Sequence, residues 1–126
     1  MKKSGLIALI AIFAVTQLTA QKRYIADPSA TLIKWHGEKI VGSKHIGTIN
    51  LKEGWLTIDG KSITGGEFLV DMNSLKNEDV KDAGSRAKLE GHLKSDDFFG
   101  VEKFAYSKLV LASGSQFTDG KAIVKG

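Results

Sequence analysis

Cysteine is absent from the 126-residue chain. That one absence removes disulfide bracing, thiolate metal sites, cysteine nucleophiles and lipid acylation of a cysteine. Proline occurs once, at Pro28, and aromatic residues make up only 8% of the sequence. With no disulfides available, the fold must be held by its core. Histidine is scarce too, with His36, His45 and His92 the only three. His36 and His45 flank a glycine-containing turn that can bring them together, while His92 lies far off in sequence. No H-x-x-x-H spacing joins them, so structural histidines are the simpler reading. Ser43, Ser62, Ser85 and Ser113 lack a G-x-S-x-G context, and "GSRAKLEG" does not have phosphate-loop spacing. Asp96 and Asp97 are neighbours, which do not converge on one substrate atom. Helix-start electrostatics accounts for them. No catalytic residue and no metal ligand is assigned, and the chain is expected not to be an enzyme. A histidine-dependent hydrolase or isomerase using His36 or His45 is the weakest alternative.

Charge of one sign is also in short supply. The formal excess is +4, and Lys2 and Lys3 contribute two of those charges. The other lysines are scattered among acids, with no basic stripe interleaved with aromatics, so no nucleic-acid partner is expected. A long hydrophobic run occurs only at the N-terminus, from Leu6 to Val15 in "MKKSGLIALIAIFAVTQLTAQ". Lysines, then an apolar run, then a small residue at Ala20 is the order of a secretory signal peptide, too short to span a bilayer comfortably. Residues 1–20 are read as that signal and residues 21–126 as the mature domain, periplasmic or secreted. No stable membrane span is expected after cleavage.

What is present reads mostly as short β-strands. Thr31, Ile33 and Trp35 alternate with other residues in "TLIKW", and Ile49 and Leu51 alternate in "TINLK". Leu56 and Ile58 continue that pattern until Asp59-Gly60, a hairpin signal. "GGEFLVDM" sets Phe68, Val70 and Met72 on one face and Glu67, Leu69 and Asp71 on the other. Gly37, Gly42, Asn50 to Gly54 and Gly65-Gly66 punctuate these runs. About seven strands separated by turns predict an antiparallel sandwich or barrel with an edge left over at the end. One helix is predicted from about Asp79 to Lys94, with Ala83, Ala87, Leu89 and Leu93 inward and Lys81, Arg86, Lys88 and Glu90 in water. "SDDFFG" follows as a capped turn, opened by Ser95 and stopped by Gly100.

The alternating apolar residues Ile33, Trp35, Ile49, Leu51, Phe68, Val70, Met72, Leu109 and Leu111, with Phe98 and Phe99, form either a plain core or the lining of a pocket. Periodicity alone leaves both open.

Three segments, "YIADPSATLIKW", "GGEFLVDMNSL" and above all "KLEGHLKSDDFFGVEKF", resemble the YceI-like family of exported polyisoprenoid-binding proteins. The resemblance runs from Tyr24 to Gly126. It implies a lipocalin-like antiparallel β-barrel with one short helix, holding a long-chain isoprenoid or similar amphiphilic lipid without chemistry and without a cofactor. It places the lining on Ile33, Trp35, Phe68, Val70, Met72, Phe98 and Phe99. Consecutive residues on a short turn point apart, so one phenylalanine is expected to face the lumen and the other to wedge the helix against the wall. A polar headgroup is expected near Lys44, His45 or Asn73. Ala105 departs from the proline common in relatives. Family domains also run on for several strands past a "VKG"-like segment, so the barrel is expected to be partial at Gly126. If its edge stays open, a structural or interaction role through strand addition is the alternative.

Overall fold

The computed structural model describes residues 21–126; the expected signal segment, residues 1–20, lies outside the described residues. Seven strands and one helix follow in order: β1 (Lys22–Ile25), β2 (Ile33–Glu38), β3 (Lys44–Asp59), β4 (Ser62–Asn77), α1 (Ala83–Lys94), β5 (Tyr106–Leu111), β6 (Ser113–Gly114) and β7 (Val124–Lys125). A 3-10 turn, Pro28–Ala30, joins β1 to β2 and is capped by Asp27. All strand pairs are antiparallel.

The long β3–β4 hairpin is the frame. Gly60 takes a φ of 58° at its turn, a left-handed conformation that favours glycine, as the Asp59-Gly60 signal predicts. β4 occupies one edge of β3, while β2 and β1 share the other along its first and second halves. β5 then pairs with β4 from Gly66 to Asp71.

This ribbon bends because its register slips. Thr48 faces Lys76 and Asn50 faces Asp71, so residues 72–75 of β4 stand opposite Ile49 alone. Side chains seal the bend. The Asp71 carboxylate accepts from the Asn73 N–H at 3.0 Å. Ser74 Oγ donates to the Asp71 carbonyl at 2.6 Å and accepts from the Asn50 N–H at 2.8 Å. Extra residues on one strand kink a ladder and sharpen its twist. Here they bring Met72 and Leu75 together with Ile49 and Val101 in one buried cluster. Ile33, Trp35, Val70 and Leu93 pack against it. Beyond the bend, Leu51, Ile63 and Leu111 are buried in the other half of the sheet.

Two expectations about the helix are corrected. The helix begins at Ala83, not Asp79, because Asp82 caps it by accepting from the Ser85 N–H at 2.7 Å. Arg86 and Glu90 are half-buried rather than water-facing: Arg86 donates to the Val80 carbonyl and Glu90 accepts from the Asn77 N–H at 2.8 Å. On the inward side only Leu89 and Leu93 are partly covered, while Ala83 and Ala87 are exposed. Among the described residues the strands form open antiparallel sheets, and a closed barrel is not shown. The main sheet ends at β1 and β2 on one side and β5 on the other, and β6 and β7 form a separate pair. Leu109, expected to face an enclosed interior, is 50% exposed on β5. No helix among the described residues is long and apolar enough to cross a membrane.

Candidate functional site

Between α1 with its following turn and the bent part of the sheet lies a cavity of about 460 Å³. Its floor is Trp35 on β2, Ile49 on β3, and Met72 and Leu75 on β4. Leu89 and Leu93 of α1 roof it together with Phe98 and Phe99. The lining is overwhelmingly apolar; polar groups occur mainly at its rim, from His36, Glu38, Lys39 and Ser43 around the β2–β3 turn, and from His45 and His92.

Each wall has a local cause. Trp35 stays flat on the sheet because its Nε1–H donates to the Lys76 carbonyl at 3.0 Å and its ring crosses Gly47, where a Cβ would sit 2.5 Å from the indole. The aromatic roof comes from the turn after α1. Ser95 Oγ donates to the His92 carbonyl at 2.7 Å, and the Phe98 and Gly100 N–H groups both donate to the Ser95 carbonyl. The Phe99 N–H reaches back to the Leu93 carbonyl at 3.1 Å. Gly100, with a φ of 52°, ends the turn where the sequence places its stop. The chain is thereby folded back on the helix end, and both phenylalanines line the cavity while staying about half exposed. Phe98 also meets the His92 ring of α1 edge-to-face, with centroids 4.9 Å apart. Asp96, expected to act at a helix start, is tied to Lys103 at 2.7 Å.

At the rim, His45 Nδ1 lies 2.8 Å from Asp79 Oδ2. Asp79 Oδ1 accepts from the Ile46 N–H at 2.9 Å and from Asn77 Nδ2 at 2.6 Å. The Ile46 amide, the His45 ring and the Asn77 amide together hold the Asp79 carboxyl at about 2, below its ordinary 3.8. An ionised carboxylate only accepts, so Nδ1 of His45 carries the proton toward it and Nε2 is left for other partners. Among the described residues no hydroxyl donates to this imidazole, and no group of three His, Asp or Glu side chains is placed to hold a metal. The pair fastens the start of β3 to the loop that leads into α1.

Of the residues singled out from the sequence, Trp35, Ile49, Met72, Phe98 and Phe99 meet on this cavity. Ile33 and Val70 pack against the buried cluster. Leu51, Phe68, Leu109 and Leu111 lie in the other half of the sheet, where Phe68 covers Gly54 and pairs with Leu109. Of the expected headgroup contacts, His45 is on the rim, Lys44 is paired with Glu38 at 3.0 Å, and Asn73 faces a separate groove. Leu75, Leu89, Leu93 and His92 were not assigned to a pocket from the sequence. Leu75 carried a signal: it is out of phase with Phe68, Val70 and Met72, across an Asn73-Ser74 pair that favours turns.

The model of one family, the YceI-like domain, matches residues 24–126. No curated protein and no solved structure matches the chain.

Proposed function

The chain belongs to the YceI-like domain family, and on that premise we propose that it is an exported protein that holds a polyisoprenoid or similar long-chain amphiphilic lipid, as carrier or store, without catalysis. The observation that supports this most is the apolar cavity of about 460 Å³ under Phe98 and Phe99, within the size range of small-molecule pockets. Burial gains about 0.8 kcal/mol per methylene, so several isoprene units offset the several kcal/mol that association costs.

In this reading residues 1–20 are the export signal and the bent β3–β4 ribbon is part of a lipocalin-like barrel wall. Trp35, Ile49, Met72, Phe98 and Phe99 hold one end of the chain. Ile33, Leu51, Phe68, Val70, Leu109 and Leu111 extend the apolar track for a longer ligand. A second reading, a partner strand added to the sheet edge, draws on β5, where Tyr106, Leu109 and Val110 are each about half exposed.

Trp35 provides the test, since the chain has only one other tryptophan, Trp55, stacked under Arg23 away from the cavity. In a Trp55→Phe background, titration with geranylgeraniol is expected to change Trp35 emission saturably, and Phe99→Ala to weaken binding by about tenfold. An emission spectrum indifferent to the added prenol would remove the carrier reading and favour the edge.

A further inference from the structure

The turn between β2 and β3 breaks the usual chemistry of turns. Gly, Asn, Asp, Pro and Ser belong at such positions because they tolerate the backbone or hydrogen-bond to it. Here the tip reads Lys39-Ile40-Val41-Gly42-Ser43, and the Lys39 N–H closes it on the Ser43 carbonyl at 3.3 Å. Gly42, with a φ of 121°, satisfies the backbone. Ile40 and Val41 satisfy nothing: they are 105% and 88% exposed, the two most exposed large apolar side chains among the described residues.

Their position gives them a use. Lys39 and Ser43, on either side of the apolar pair, line the cavity, as do Phe98 and Phe99. The exposed members of the lining mark its open end, with Phe98 and Phe99 on one side and the polar turn residues Lys39 and Ser43, which bracket the exposed Ile40 and Val41, on the other. Lys39 makes no ion pair among the described residues, and its charge is available beside the tip.

We propose that the Ile40–Val41 tip is a membrane-docking element that seats the mouth of the cavity on an anionic lipid surface. Apolar side chains that enter the headgroup boundary, with a cation beside them, are the pattern that binds such interfaces. A lipid that moves between bilayer and cavity then need not cross open water. This use of the tip rests on the lipid-binding reading, but docking itself is measured separately from ligand uptake.

Because the chain has no cysteine, a single label reads insertion locally. Val41→Cys carries an environment-sensitive fluorophore such as NBD. Lys61→Cys, in the β3–β4 turn at the other end of β3, carries the control. The exported protein is mixed with vesicles of phosphatidylcholine, with and without phosphatidylglycerol. Emission at position 41 is expected to shift to the blue and brighten with vesicles, more strongly with the anionic lipid, while the label at position 61 stays unchanged. In the unlabelled protein, Ile40→Ser with Val41→Ser is expected to lower vesicle affinity by about tenfold, with an unchanged thermal midpoint and unchanged uptake of geranylgeraniol from solution.

A label at position 41 that stays water-exposed beside vesicles would overturn the proposal. So would a blue shift that appears without vesicles and rises with protein concentration, since the tip would then be a contact between copies. If neither the parent nor the double variant takes up prenol from solution, the carrier reading fails, and the label still decides whether the tip docks.

Discussion

At Gly47 a methyl group would collide with the Lys76 carbonyl oxygen and with the Trp35 indole, which passes directly over the glycine. Gly47→Ala is therefore expected to displace the ring, strain its hydrogen bond to Lys76 and destabilise the protein by about 2 kcal/mol. A urea midpoint lowered at constant slope would register it. A change of less than about 0.5 kcal/mol would mean that the indole moves aside freely. Asp79 gives a second residue-scale expectation. Its carboxyl sits near 2 in the folded chain, below the ordinary 3.8. The folded value is depressed, so its contribution is fully present above about pH 4 and is lost as the pH falls toward 2. Asp79→Asn should flatten acid unfolding across that window, and parallel curves for parent and variant would count against the His45–Asp79–Asn77 clasp. The sequence made five cavity residues legible because Trp35, Ile49 and Met72 alternate on strands and Phe98-Phe99 stands out in a polar segment. His92 was not legible: only the turn that brings Phe98 onto its ring places it at the rim.

Among the elements, the hairpin at Asp59-Gly60 and the turn ended by Gly100 follow from local chemistry and appear where the sequence puts them. The bend in β4 is different. Phe68, Val70 and Met72 keep a two-residue period straight through its beginning, and only the phase reversal at Leu75 betrays it. Which strand takes the extra residues depends on its partner, and that is long-range information. The start of α1 was obscured for a similar reason, since Asp79 and Asp82 are both plausible caps until Asp79 is engaged by His45 and Ile46. The helix itself is weakly held. It has no buried residue, and Gly84 and Gly91 both lie within it. A Cβ at Gly91 would meet nothing, so Gly91→Ala is expected to stabilise the protein by about 0.5–1 kcal/mol and slow amide exchange across α1. Unchanged exchange in α1 would show that the helix opens only with the whole fold.

For the whole molecule, mostly antiparallel β-structure with one helix was legible from turn spacing and strand alternation, whereas closure was not. Closure depends on whether strands distant in the chain meet, and among the described residues β1, β2 and β5 remain edges. The apolar residues consequently fall into two groups separated by the β4 bend, one around the cavity and one on the outer half of the sheet. A long isoprenoid following both groups would join them, and a shorter ligand would use the cavity alone. Native mass spectrometry of the protein purified from the cells that make it, with solvent extraction of whatever it carries, tests this most directly. A stoichiometric polyprenyl species is expected, with lower occupancy in Phe98→Ala. A bare protein mass, with no uptake of added isoprenoid quinone or polyprenol, would contradict it and reduce the cavity to a gap under a loosely packed helix.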